Sequence, residues 1–349
     1  MKTKTIYVLH KNGAPSHYTG LEQLLKTHNL NLKHREFSVF SKLFKSIFKL
    51  KGKEFIKQLV NLCFLTSLLF SKNKKIVLGI APFDHKLLFL MPLIRNHKVY
   101  YHSSWICWDK TFHPKTKKNS AKVFEKWRYF LEEKTTHIFV VTQLAQNEIL
   151  KNYSINKAKT SVVYHSLDLS FSEKLVSEKE PNSYISVGRI IPEKGIKEML
   201  EVFSQRPHLN LTVVGSGSEE NLVQEYAQKF DNIIFLGKIS NRKKLFETIQ
   251  THQYLVLNSK KTAKWEELFG IVVIEGMSQG VIVISSNHSG PKEIITPQTG
   301  HLFEEGTLSE TVDNVSKHPF STSMAENAIE HSKKYLSKNI ALLWTPILK

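Results

Sequence analysis

Cysteine is scarce in this chain. Its 349 residues include only Cys63 and Cys107. Two cysteines cannot build a disulfide framework or a four-cysteine zinc site, and they suit a reducing compartment. Long apolar runs are also missing. The best stretch, residues 59–70, is about a dozen residues and too short to span a bilayer. The opening residues, Met1-Lys2-Thr3-Lys4, lead straight into a strand-like run, so no secretory leader is expected there. Acidic residues are sparse in one half only. Residues 1–170 carry 29 Lys+Arg against 10 Asp+Glu, while residues 171–349 carry 20 against 21. The net charge of +18 therefore lies entirely in the first half. This asymmetry predicts a polyanion or an anionic membrane facing that half alone.

What is present is an alternation of short apolar runs, turns and helical stretches, without an internal repeat. The length allows two domains of ordinary size. In the first half, residues 5–10 read as a strand, 11–17 as a turn and 18–27 as a helix, the opening of a doubly wound α/β domain. Further strands are expected at 75–80, 98–102, 137–141 and 160–164, and helices at 120–135 and 143–153. Gly13 sits in the first turn, where a plain structural turn and a phosphate loop are both open. His102 falls at the C-terminal end of its strand, the edge where ligands bind in open α/β sheets. Residues 105–119 read as an irregular loop on that side.

Residues 42–57 are unusual. Lys42, Lys45, Lys49, Lys53 and Lys57 recur every three or four positions, and apolar residues from Leu43 to Val60 cluster away from them. Such a basic amphipathic pattern fits an anionic membrane surface, and it equally fits a solvated lysine face on a surface helix. Gly52 divides it.

A polar stretch at 171–183 reads as a linker. The domains are accordingly expected at 1–170 and 184–325, with a helical segment, 326–349, packing back toward the N-terminal domain. The second half restarts with a strand at 184–187, a turn at 188–195 and a helix at 196–203. Strands follow at 210–214, 232–236, 254–257 and 281–285, and helices at 218–230 and 242–251. Arg189 and Lys194 share the first turn, next to a helix start. Two cations with helix N–H groups make a cradle for a diphosphate. Gly215 and Gly217 form a second glycine-bearing loop. Glu267 and Glu275 then stand eight positions apart around Gly270, one in a polar segment and one at a helix start. Carboxylates at such a turn accept hydrogen bonds from sugar hydroxyls. The order of these pieces predicts a site for a ligand that is both phosphorylated and rich in hydroxyls.

SVGRIIPEKGI, LTVVGSGSE, IIFLGKIS, EELFGIVVIEGMSQG and SSNHSGPKEII, in that order, resemble the donor-binding domain of glycosyltransferase family 4 (group 1), whose members are retaining enzymes of the GT-B fold. In the first half, VYYHSSW and SVVYHSLDLS resemble family segments more loosely. Ser103 stands where an aspartate is usual, and His165, Ser166 and Leu167 replace asparagine, glycine and valine. The resemblance implies two Rossmann-like doubly wound domains facing each other across a cleft. It also implies a nucleotide-diphosphate sugar of UDP or GDP type as donor substrate, with no tightly bound cofactor. Arg189 and Lys194 would hold the diphosphate, with Gly13, Gly188, Gly215 and Gly217 in the glycine-bearing loops and strand ends around it. Glu267 would hold the transferred sugar, Glu275 the ribose, and the backbone at Leu268, Phe269 and Gly270 the sugar or phosphates. Lys238 would face the base and His102 the anomeric centre.

No Asp-x-Asp sequence occurs, so side-chain cations are expected to do the work of a metal, and no metal residue is assigned. The expected activity is sugar transfer, of hexosyl type, to a glycan or lipid-linked acceptor in surface polysaccharide or glycolipid synthesis. The protein is expected in the cytoplasm, peripheral at the inner membrane face through residues 42–75. A sugar-nucleotide epimerase on the same fold and a basic nucleic-acid binder are the alternatives. The lysines lack the interleaved aromatic platform that would favour the second, so nucleic acid is not expected as a partner.

Overall fold

The computed structural model describes residues 5–11, 13, 15–48, 52–111, 113, 120–168, 171, 178–263 and 265–349. Lys49, residues 112 and 114–119 of the loop expected at 105–119, and residues 172–177 of the expected linker lie outside these. The chain forms two compact units, Met1–Ser166 with Ser337–Lys349, and Leu167–Leu336.

The first unit runs β1 (Thr5–His10), α1 (Thr19–Thr27), β2 (Asn31–Glu36), α2 (Val39–Phe48), α3 (Gly52–Leu69), β3 (Lys75–Gly79), α4 (Lys86–Ile94), β4 (Lys98–Ser103), α5 (Ala121–Tyr129), β5 (Thr135–Val140), α6 (Gln143–Asn152) and β6 (Thr160–Val162). Its sheet has the order β2-β1-β3-β4-β5-β6, all pairs parallel. β3 (KIVLG) is a near-continuous apolar run and β5 (TTHIFV) ends in one; both are largely buried, as strands of a parallel sheet covered on both faces are. β2 was not expected. Its sequence NLKHRE is polar and its first four side chains alternate between exposed and half-buried, as an edge strand allows, before it ends on buried Glu36. An aromatic cluster of Phe83, Tyr101, Trp108, Trp127 and Phe130 fills the space under β4.

The expected lysine face is corrected in part. Lys42 and Lys57 reach Glu36, each with Nζ 2.7 Å from a carboxylate oxygen, and Gln58 donates to the same group. Burial opposes ionisation of Glu36, but these hydrogen bonds outweigh it and bring its pKa down to about 2. A buried carboxylate needs such partners, so these two lysines serve the interior. Phe44, Phe48 and Ile56 instead face outward, 62%, 85% and 63% exposed.

The second unit runs β7 (Ser183–Arg189), α7 (Ile196–Ser204), β8 (Asn210–Ser216), α8 (Glu220–Lys229), β9 (Ile233–Gly237), α9 (Arg242–Gln250), β10 (Tyr254–Leu257), α10 (Ile271–Ser278), β11 (Ile282–Ser286), α11 (Ser289–Ile294), β12 (Gly300–Phe303), α12 (Leu308–Ser316) and α13 (Thr322–Ser332). Its parallel sheet has the order β12-β11-β10-β7-β8-β9. The order reverses between β7 and β10, the switch point that places ligands in doubly wound sheets.

The unit boundaries fall after 166 and 336, where the sequence reading puts them at 170 and 325. Leu167 donates its N–H to Tyr335 O, and α13 packs on α10, so both ends of this stretch are tied to the second unit. The last helix, α14 (Ser337–Leu343), packs on α1 in the first unit. There Trp344 lies against Phe139, with ring centroids 4.4 Å apart, and Lys75 Nζ donates to Ile347 O and Leu348 O.

Candidate functional site

The site in the second unit begins where β7 and β8 end. Gly188 and Arg189, expected in a turn, are the last two residues of β7 and pair with Gly215 and Ser216. This extension requires glycine. A Cβ on Gly215 would sit 1.8 Å from Gly188 O, and the residue has φ +155°. Arg189 is exposed, with no carboxylate within ion-pair distance among the described residues. The chain then turns through Pro192–Lys194 into Gly195, which has φ +59° and caps α7. Asn258, just after β10, donates from Nδ2 to Gly195 O at 2.9 Å and ties this turn to the switch point.

Lys194 is the centre of the arrangement. Its Nζ donates to Glu267 Oε2 and lies 5.1 Å from the centroid of the Trp265 ring. Ser259 Oγ donates to the same Glu267 oxygen at 3.2 Å. The Glu267 N–H donates to His288 Nδ1 (3.2 Å), and the Gly290 N–H donates to Glu267 O (3.1 Å). A ring nitrogen that accepts must be unprotonated, so His288 carries its proton on Nε2, 3.0 Å from Glu305 Oε1. Residues 267–270 are thus held from behind by the start of α11. The fit is close: a Cβ on Gly290 would fall 2.3 Å from Phe269 N. Leu268 and Phe269 lead to Gly270, whose φ of +79° starts α10.

Two flanking residues strengthen this frame and were not expected. Glu266 is buried and accepts from the Ser289 N–H (3.0 Å) and hydroxyl, with Lys261 Nζ at 3.0 Å. Burial opposes its charge, but these partners outweigh burial and lower its pKa. Arg242, the first residue of α9, donates from a terminal guanidinium nitrogen to Glu275 Oε1. Glu275 lies inside α10 rather than at its start and is 4% exposed. Burial pushes its pKa up, Arg242 opposes that, and Asp168 adds to it. Lys238 is exposed just beyond β9. A larger cavity of about 650 Å³ lies at the opposite edge of the sheet, beside the first residues of β10, β11 and β12, away from these charged pairs.

The remaining candidates lie in the first unit. Gly13 follows β1 with φ +90°, a conformation that glycine tolerates. His102 is buried on β4, with its ring 5.0 Å from that of Tyr18 and 6.3 Å from that of His165. His17 stacks near His165 at 4.6 Å. Burial, then the neighbouring His17 and His10, bring the His102 pKa down to about 3, so the imidazole is neutral. A neutral imidazole offers a ligand one N–H and one acceptor.

Residues 169–335 match the family model described as Glycosyl transferases group 1. A GDP-mannose-dependent monoacylated alpha-(1-6)-phosphatidylinositol monomannoside mannosyltransferase of Corynebacterium glutamicum is 30% identical over 123 residues, 33% of this chain and 32% of that protein. The O-antigen chain mannosyltransferase RfbU of Salmonella typhimurium is 25% identical over 262 residues, 68% of this chain and 66% of that protein. The chain therefore spans from a third to two thirds of the length of these relatives. Anabaena HepE, solved in complex with UDP, aligns over 99% of both chains with a TM-score of 0.66 and 15% identity. The fold is the two-domain GT-B fold, and the second unit is similar in sequence to the group 1 glycosyl transferases.

Proposed function

We propose that this protein is a retaining, metal-independent glycosyltransferase of family 4. It transfers a sugar, of hexosyl type, from a nucleoside-diphosphate sugar to a glycan or lipid-linked acceptor in surface polysaccharide or glycolipid synthesis. The observation that carries this reading is the meeting of Lys194 and Glu267 at the switch point, beside exposed Arg189, within the segment that matches the family model. Neither alternative, epimerase or nucleic-acid binder, has support of that kind.

In this reading Arg189 and Lys194 face the diphosphate. Cleavage of the bond to the sugar builds negative charge on the leaving oxygens, and these cations stabilise it more than they stabilise the donor ground state. Lys194 exchanges part of its contact with Glu267 for the phosphate. Glu267 is then free to accept from sugar hydroxyls, while His288 and Gly290 hold its backbone. Glu275 accepts from the ribose. The loop glycines and the N–H groups at Leu268, Phe269 and Gly270 serve the phosphates or sugar, and Lys238 faces the base. Neutral His102 and Gly13 are the first unit's contributions. The acceptor hydroxyl attacks on the leaving-group face and passes its proton to the departing phosphate, so no covalent sugar–enzyme bond forms and configuration is retained. With two side-chain cations and no Asp-x-Asp sequence, no divalent ion is invoked.

The acceptor side is read from the first half. Its basic surplus and the exposed Phe44, Phe48 and Ile56 fit a protein lying on the anionic inner face of a membrane. No helix among the described residues is long and apolar enough to cross one. The lipid-glycan acceptor in the name of the Corynebacterium relative is consistent with that setting.

The test is a thermal-shift panel of UDP- and GDP-sugars, followed by transfer assays with and without EDTA and by the anomeric configuration of the product. A donor that raises Tm, EDTA-insensitive transfer and retention are the expected results. Inversion, or loss of activity restored by a divalent ion, overturns the corresponding part. Sedimentation with anionic but not neutral vesicles is expected, and equal partitioning removes the electrostatic membrane contact.

A further inference from the structure

The geometry points to Arg242 as a positioning residue of the nucleotide site: it holds one oxygen of the Glu275 carboxylate and leaves the other for a ligand hydroxyl. This rests on the reading of Glu275 as the ribose acceptor.

Three contacts fix the guanidinium. It donates to Glu275 Oε1, its Nε lies 3.9 Å from Asp168 Oδ2, and its Cζ stands 4.8 Å from the centroid of the Phe171 ring. Phe171 is itself buried, packed edge-on against Phe246 of α9, and its carbonyl accepts from Gln279. Phe171 beneath Arg242 is thus held by two contacts within the second unit. Arg242 also opens α9, followed by Lys243 and Lys244, with no acidic residue in that first turn. A cation there opposes the helix dipole, so the helix gains nothing from it. The carboxylates and the ring account for its place.

The consequence falls on Glu275. A carboxylate inside a helix, 4% exposed, takes up a proton readily unless a cation faces it. Protonated, it could no longer accept two hydrogen bonds from a diol. Among the described residues the charges that act on it are Arg242, from α9, and Asp168, from the segment before β7. The other elements packed on α10, namely α11, α13, β10 and β11, add none that shifts it. Asp168 works against ionisation, so Arg242 is the one of the two that favours the charged form, against the burial that disfavours it. Arg242 occupies Oε1, and no described residue donates to Oε2. One oxygen remains for the ligand, in a fixed direction.

The test is calorimetric titration of UDP and GDP into wild type, R242Q, R242K and E275Q between pH 5 and 8, after melting curves establish that each is folded. R242Q is expected to weaken binding about tenfold at pH 7.5. It should also move the acid-side loss of affinity up by about one pH unit, because the carboxylate then titrates without its cation. R242K should restore most of the pH midpoint. In the E275Q background, R242Q should cost little more. If R242Q lowers Tm but leaves affinity and pH profile as in wild type, Arg242 is only structural and the inference falls. If E275Q itself leaves nucleotide binding unchanged, the ribose reading falls instead. If R242Q does not fold, the R242K profile decides: a midpoint near wild type supports the inference, and a loss of affinity at all pH values alike overturns it.

Discussion

At the C-terminal edge of its sheet the second unit carries charges in pairs, Lys194 with Glu267 and Arg242 with Glu275. The first unit carries imidazoles at the matching edge, His10 at the end of β1 and His102 near the end of β4, with His165 beyond β6. Its carboxylate there, Glu36, is taken by Lys42 and Lys57. One edge carries buried or half-buried ion pairs, the other neutral imidazoles. Two sheets of similar topology thus divide the labour by what they bury. Even the lysine-rich stretch of the first half gives two of its cations to an internal partner.

The largest expected effect comes from acid. Eight histidines of the first unit have pKa values lowered from 6.5, chiefly by burial, against three in the second. His10 and His137 stand near 4 and His102 near 3. A base whose folded pKa is depressed gives its full stabilisation above the unfolded value and loses it as pH falls through the folded one. The first unit should therefore lose several kcal/mol between pH 6.5 and about 4, on the order of 1.4 kcal/mol for each tenfold drop in a histidine's proton affinity on folding. Trp105, Trp108, Trp127 and Trp344 report the first unit and Trp265 the second. Fluorescence together with hydrogen exchange should show the first unit opening earlier, and simultaneous loss would erase the contrast.

Next is K194A. With the fold retained, transfer should drop by about 100- to 1000-fold, as for removal of one preorganised cation. Steady-state rates beside a melting curve check this. An effect confined to KM would mean that Lys194 binds donor and transition state equally.

G215A should cost about 2–4 kcal/mol, since the new methyl meets a carbonyl and the backbone is held at φ +155°. G188A is its control, because nothing lies within 4 Å of its Cβ position, and its change should stay within about 0.5 kcal/mol. Urea unfolding separates the two. Below G215A comes K42A in the first unit, about 1–2 kcal/mol, because Lys57 and Gln58 still serve Glu36. A value near zero would make that ion pair an ordinary surface one.

The alternation of strands and helices could be read because each inner strand of the parallel sheets carries a short apolar run, Ile-Val-Leu in β3, Ile-Phe-Val in β5, Leu-Val-Leu in β10 and Ile-Val-Ile in β11. β2 was hidden by its polar edge sequence, and α4 by Pro92, which breaks a helical pattern on paper but sits inside the helix in space. At the site, Arg189, Lys194, Glu267 and Glu275 stood out because each lies near a glycine turn at the end of a strand. The structure draws Lys194 and Glu267 together, and it sets Glu275 one turn deeper into α10 than expected. Arg242 gave no such sign. In sequence it is one of three basic residues opening a helix, 33 positions from its partner. Only the folding of α9 against α10 reveals which of the three turns inward. Glu266 was masked by its neighbour: of two adjacent glutamates, one faces Lys194 and the other braces Ser289.

The return of residues 337–349 to the first unit makes the second unit an insertion in the chain rather than a successor. Two peptide crossings join the units, after 166 and after 336. Cutting the gene at either crossing alone therefore cannot yield an intact first unit. A fragment ending at 166 would lack Trp344 and leave Phe139, Tyr18 and His102 without the ring that lies against them. A fragment spanning 167–336 keeps every strand of its own sheet. The second unit is the part to excise whole, and the first is better rebuilt by splicing 166 to 337 through a short flexible bridge.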